Sequence, residues 1–132
     1  MPSCGIGDLI RNGMIRKDGT GRDFAIEPLM EKYKVDMYLC GHEHNYERLF
    51  PILNGSFTPN GTFSKPGKPV HIVTGAGGAY SKDPFTAPAG AWDAIRSEEW
   101  SYSDFNANRT HMWLRQRLAT NGSVIDEMVL TR

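Results

Sequence analysis

The chain has 132 residues, with fifteen basic residues against fifteen acidic ones and a formal charge of zero. That length is ordinary for one domain with a core of its own, and the balanced charge offers little to the phosphate backbone of nucleic acid or to an anionic membrane. No apolar stretch approaches the roughly 18 to 20 residues that span a bilayer, and Met1-Pro2-Ser3-Cys4-Gly5 has neither the basic nor the apolar segment of an export signal. A nucleic-acid partner and a membrane span are not expected.

Residues 1–22 are rich in glycine and charge, carry little periodicity and read as loop. From Phe24 onward, Ile26, Leu29, Met30 and Tyr33 follow the i, i+3, i+4, i+7 spacing of an amphipathic helix ending near Lys34. Pro28 fits only in the first turn of that helix, where its missing N–H has no partner to lose. The apolar run Val35 to Cys40 then predicts a strand, which delivers the chain to Gly41-His42-Glu43-His44-Asn45-Tyr46-Glu47-Arg48. If His42 and His44 continue the strand, alternation puts both imidazoles on one face, and the carboxyl ends of strands in α/β sheets are where sites are built. A His-x-His pair suits zinc, iron or copper.

Leu49 to Lys68 is proline-rich, carries two Asn-Gly pairs and reads as an excursion with one loose hairpin. Val70-His71-Ile72-Val73-Thr74 is β-branched and predicts a buried strand. Gly75-Ala76-Gly77-Gly78 follows it, but Ser81 to Pro88 shows no helical period, so a dinucleotide fingerprint is not expected. These glycines are read as a sharp turn or a close backbone approach. Thr110 to Ala119 and Val124 to Leu130 form a predicted antiparallel hairpin around Asn121-Gly122, with Met112, Leu114, Gln116 and Leu118 on one face and His111, Trp113, Arg115 and Arg117 on the other.

Cys4 and Cys40 can pair, or Cys40 is simply a small buried side chain; neither looks like a nucleophile. Asn54, Asn60, Asn108 and Asn121 each open an Asn-x-Ser/Thr sequon, which favours glycosylation and a secretory history. Three of the four are also Asn-Gly pairs, which hairpin turns select regardless of any sugar.

The octet Gly41 to Arg48 resembles the Gly-His-x-His-x-Tyr-Glu-Arg block of the purple acid phosphatases, within the calcineurin-like metallophosphoesterases. Glu27 to Asp36 resembles the helix and strand before that block; Val70 to Gly78, Trp92 to Arg96, Tyr102, Asn108 to His111 and Gly122 to Asp126 resemble the region after it. The resemblance implies an α/β fold: the C-terminal portion of an α/β/β/α sandwich, mostly β-strands with one or two short helices. It divides the chain into a loop-like remnant at 1–22, the end of the catalytic domain with the His-x-His block at 23–53, and a C-terminal β-rich region at 54–132. It also implies a ferric ion beside a divalent zinc, iron or manganese, with His42 on the divalent ion and His44 on the ferric one. Such a pair lowers the pKa of a shared water and clamps both oxygens of an in-line displacement at phosphorus. The implied reaction is hydrolysis of phosphate monoesters in acid, in a secreted, secretory-pathway or lysosomal setting. Glu47 and Arg48 are expected to form an ion pair that positions the loop, and Tyr46 to be packing.

The family assembles its site from the blocks Asp-x-Gly, Gly-Asp-x-x-Tyr, Gly-Asn-His-Asp/Glu, Val-x-x-His and Gly-His-x-His, and this chain holds only the last. Gly7-Asp8 is the sole Gly-Asp pair, with Arg11 where the tyrosine would stand. His71 and His111 sit in predicted strands and are read as core or surface residues. Two imidazoles do not hold two ions, so a fragment inactive without its other half is expected. Two other readings stand beside it. One is a non-catalytic secreted module binding a partner through Trp92, Trp100, Tyr102 and Trp113; the other is a single zinc or copper ion shared between His42, His44 and a second chain.

Overall fold

The computed structural model describes residues 26–59, 63, 67–85 and 88–131. The expected loop at 1–22, Cys4 and Asn60 lie outside them. A helix, α1 (Glu27–Tyr33), takes Pro28 in its first turn and ends where Lys34 turns left-handed, with φ 53°. Backbone N–H groups of Lys34 and Val35 then close the helix on the carbonyls of Glu31 and Met30. The expected apolar stripe is only half buried: Met30 faces the core, whereas Leu29 and Tyr33 are 54% and 67% exposed. The helix lies against the core along Ile26, Glu27 and Met30, and among the described residues the other half of the stripe stays exposed.

The strands follow in chain order: β1 (Met37–Cys40), β2 (Tyr46–Leu49), β3 (Ile52–Leu53), β4 (Ser56–Phe57), β5 (Val70–Thr74), β6 (Asp93–Ser97), β7 (Ser101–Ala107), β8 (His111–Leu118) and β9 (Val124–Thr131). Four of them form one sheet in the order β1-β5-β2-β6. β1 runs parallel to β5, with Met37 opposite Val70 and Cys40 opposite Val73. β2 is antiparallel to both of its neighbours. The sheet thus draws strands from both sides of residue 53. β3 and β4 pair across Asn54-Gly55, whose φ values of 50° and 72° are those of a tight primed turn. The buried carboxylate of Glu27 accepts the Asn54 N–H at 2.7 Å and ties that turn to the start of α1.

β7, β8 and β9 form a second, antiparallel sheet, with the expected Asn-Gly turn closing β8 to β9 and Gly122 at φ 72°. β7 has no apolar alternation to announce it. Ser101 and Ser103 face inward and bond the buried amide of Gln116, so this strand satisfies its inner face with hydrogen bonds rather than apolar packing.

The four-stranded sheet is the middle layer, because successive residues of β5 serve opposite faces. Val73 packs with Leu49 and Ile52, and Ile26, Phe57 and Trp92 cover that cluster on the helix side. Val70 and Ile72 pack with Tyr46, Leu114, Met128 and Leu130, which join the two sheets. The result is helix, sheet, sheet: an α/β arrangement of mostly β-strands with one short helix among the described residues. No described helix is long and apolar enough to cross a membrane.

Candidate metal-binding site

β1 ends at Cys40, and the chain turns through Gly41 to Asn45 before β2 begins at Tyr46. His42 and His44 therefore sit on a loop of bends, not on a strand, and strand alternation does not aim them. The loop itself carries them to the carboxyl end of β1. It does so with His42 in the left-handed region, at φ 80°. A non-glycine residue held there costs about 1–2 kcal/mol and persists only where its surroundings dictate it.

Two distant segments supply those surroundings. Gly75, just past β5, lies so close beneath the loop that an added Cβ would stand 1.8 Å from the Glu43 carbonyl oxygen. Its N–H donates to the Asn45 carbonyl at 3.1 Å, and Gly41 faces its Cα. The close approach expected of this glycine run is thus made by its first member, against the histidine loop. The second segment centres on Asp83. Its Oδ2 accepts the backbone N–H of His44 at 2.9 Å, and its carbonyl accepts Asn45 Nδ2 at 3.0 Å. Asp83 is in turn fixed by its neighbours: the Phe85 ring lies under the Arg96 guanidinium, and Lys82 pairs with Glu99 at 3.1 Å.

The His42 side of the loop is exposed, while the His44 side chain is one-third exposed. The buried nitrogen of His44 is Nδ1, which has no hydrogen-bond partner and stands 3.5 Å from Asp83 Oδ2.

The expected ion pair between Glu47 and Arg48 is replaced by two pairs to other strands. Neighbours on β2 face opposite sides of the sheet. Glu47 therefore meets Arg96 on β6 at 2.8 Å, whereas Arg48 grips Asp126 on β9 at 2.6 and 2.8 Å. Tyr46 is packing, as expected, and more: its hydroxyl donates to the same Asp126 at 2.6 Å, and burial together with that bond pushes its pKa well above the ordinary value.

Cys40 is a free thiol whose pKa burial, with the Glu47 charge behind it, pushes up to about 11, so it stays protonated and is no nucleophile. His71 is fully buried against Tyr38, and His111 stacks on Trp113 at the surface. Of the four aromatics considered for partner binding, Trp92 packs on the core, Trp100 lies under Lys82, Trp113 stacks on His111, and Tyr102 alone is exposed.

Imidazoles on a loop at a strand end suit iron or zinc chemically. Their number does not suffice: no group of three or more His, Cys, Asp or Glu side chains placed to hold a metal occurs among the described residues. His42 and His44 fit a metal centre as part of its donor set. Asp83 and Asp126 escaped sequence reading because no local pattern marks them. Each acts across a long separation, 39 residues for Asp83 and His44 and 78 for Asp126 and Arg48.

A family profile described as "Iron/zinc purple acid phosphatase-like protein C" matches residues 68–127. "Acid phosphatase type 7" of Mus musculus is 36% identical over an alignment of 126 positions that covers 89% of this chain and 28% of that protein. "Probable inactive purple acid phosphatase 24" of Arabidopsis thaliana is 29% identical over an alignment of 133 positions that covers 92% of this chain and 21% of that protein. Among solved structures, purple acid phosphatase PPD1 from yellow lupin (Lupinus luteus) seeds superimposes with a TM-score of 0.76 at 28% identity, covering 96% of this chain and 22% of that one. The chain thus spans about a quarter of the length of the relatives it matches. With these likenesses covering both the histidine loop and the second sheet, the chain belongs to the purple acid phosphatases and carries the C-terminal part of one.

Proposed function

We propose that this chain contributes His42 and His44 to the dinuclear centre of an acid phosphatase that hydrolyses phosphate monoesters, the remaining donors coming from outside the described residues. What supports this most directly is the clamped loop itself: two histidines held at the end of β1, one of them in a strained backbone conformation that Gly75 and Asp83 enforce. In the intact centre the metals, iron with zinc, iron or manganese beside it, lower the pKa of water and neutralise phosphate charge. The chain's own contribution is to hold the two rings, with Tyr46 and Arg48 locking the following strand onto the second sheet. Residues 23–53 act as the end of the catalytic domain and 54–132 as the C-terminal β-rich region.

A secretory-pathway or lysosomal location and sugars on Asn54, Asn60, Asn108 and Asn121 complete the reading; Asn54, Asn108 and Asn121 all lie at exposed turns. The non-catalytic alternative draws support from the Arabidopsis relative, whose name calls it inactive.

The test is a comparison of the 132-residue chain with a chimera that joins it to the preceding part of the mouse relative. We expect the chain to leave 4-nitrophenyl phosphate intact and to hold substoichiometric iron, and the chimera to hydrolyse it. Replacing His42 and His44 by alanine should abolish that turnover. Turnover by the chain alone, or a chimera indifferent to both replacements, would overturn the proposal.

A further inference from the structure

We propose that Asp83 is the positioning residue of His44: it holds the imidazole with Nδ1 turned inward and leaves Nε2 as the nitrogen offered to a metal. The inference rests on the reading of His44 as a metal ligand and adds a residue to it. Asp83 lies in the Ser81–Pro88 segment, 39 positions from His44, yet the two segments meet in a reciprocal contact. The Asp83 carboxylate accepts the His44 N–H, the Asp83 N–H reaches the His44 carbonyl at 3.5 Å, and the Asp83 carbonyl accepts Asn45 Nδ2. The backbone beneath the ring is thereby fixed on both sides.

Of the two ring nitrogens, only Nδ1 is buried without a partner. Nδ1 is buried, without a hydrogen bond, and 3.5 Å from the oxygen that already takes the His44 N–H. The contact makes no hydrogen bond, yet the carboxylate is near enough to bias the ring electrostatically. A neutral imidazole carries one N–H, and the neighbour of one nitrogen decides which; a carboxylate beside Nδ1 favours the proton there. Nε2 then keeps its lone pair, on a ring that is one-third exposed. Carboxylates that orient ligating histidines in this way raise ligand basicity and are typically worth about 10- to 100-fold in metal affinity.

The ring tautomer is readable without any metal. In the 15N-labelled full chain at pH 7.5, long-range 1H–15N correlation should show His44 protonated on Nδ1. Asp83→Asn, which keeps an oxygen for the backbone bond, should retain the amide shifts of His44 and Asn45 but lose the tautomer preference; Asp83→Ala should lose both. A wild-type ring protonated on Nε2 overturns the assignment even if neither variant folds, and so does a preference unchanged in both variants. Zinc added to the same samples separates the two levels. We expect it to perturb His44 Nε2 and to bind about 10-fold more weakly to Asp83→Asn. Zinc that perturbs neither His42 nor His44 overturns the ligand reading and with it the purpose given to Asp83. Zinc bound by a ring whose Nδ1 is the coordinating atom overturns the Asp83 assignment alone.

Discussion

Arg48 and Asp126 form a bidentate pair that joins β2, the strand leaving the histidine loop, to β9 at the end of the second sheet. Both side chains are less than one-tenth exposed, and the Tyr46 hydroxyl shares the same carboxylate. The layer carrying the histidines is thus tied to the layer behind it by charge as well as by the apolar cluster around Leu114. Removing one partner of a buried pair leaves the other charged and unsolvated, which costs more than the pair contributes.

Asp126→Ala should therefore destabilise the fold by about 3–5 kcal/mol. Tyr46→Phe, which deletes only one hydrogen bond, should cost about 1 kcal/mol. Urea unfolding followed by circular dichroism measures both. Equal costs would show that the carboxylate does not hold Arg48 in the way described.

Gly75→Ala should displace the histidine loop, because its Cβ would collide with the Glu43 carbonyl, a backbone atom that cannot swing aside. We expect a loss of about 1–3 kcal/mol together with changed ring resonances of His42 and His44. Gly77→Ala, two residues on, meets open space and serves as the control. If both variants leave the histidine resonances unchanged, the loop does not rest on Gly75.

The left-handed conformation of His42 gives a prediction with an unusual direction. His42→Gly should be more stable than His42→Ala by about 1 kcal/mol, since only glycine adopts that φ without steric cost. Thermal melts of the two variants decide it. An alanine variant at least as stable as the glycine one would mean that the strain is absent in solution.

His71 sets a pH dependence. Burial lowers its pKa from 6.5 to about 4, against a smaller opposing influence of the Ile52 backbone, so the folded chain resists the proton that the unfolded chain accepts. Stability from this group is complete above about pH 6.5 and is lost as pH falls toward 4, by up to about 3 kcal/mol. Wild type should thus lose more stability than His71→Leu between pH 7.5 and 4.5, as read by urea midpoints at each pH. Parallel losses would exclude His71 as the cause.

Local pattern carried much of the fold. The β-branched run at Val70–Thr74, the apolar run ending at Cys40 and the Asn121-Gly122 hairpin all announce themselves through side chains that act on near neighbours. The helix was legible for the same reason, although Leu29 and Tyr33 show that a stripe of apolar residues does not guarantee a partner surface. β7 was not legible, because Ser101, Ser103 and Gln116 replace apolar burial with hydrogen bonds that exist only once two strands are side by side.

The site divides along the same line. Residue identity was enough to single out His42 and His44, since ligand chemistry belongs to the side chain and the His-x-His spacing lies within a few bonds. Where those rings point, and what holds them, depends on contacts closed across long stretches of chain: Gly75 beneath the loop, Asp83 beside His44, Arg96 on Glu47 and Asp126 on Arg48. Carboxylates and glycines look alike along a chain, and distance in space, which folding alone establishes, is what turns these into supports for two histidines.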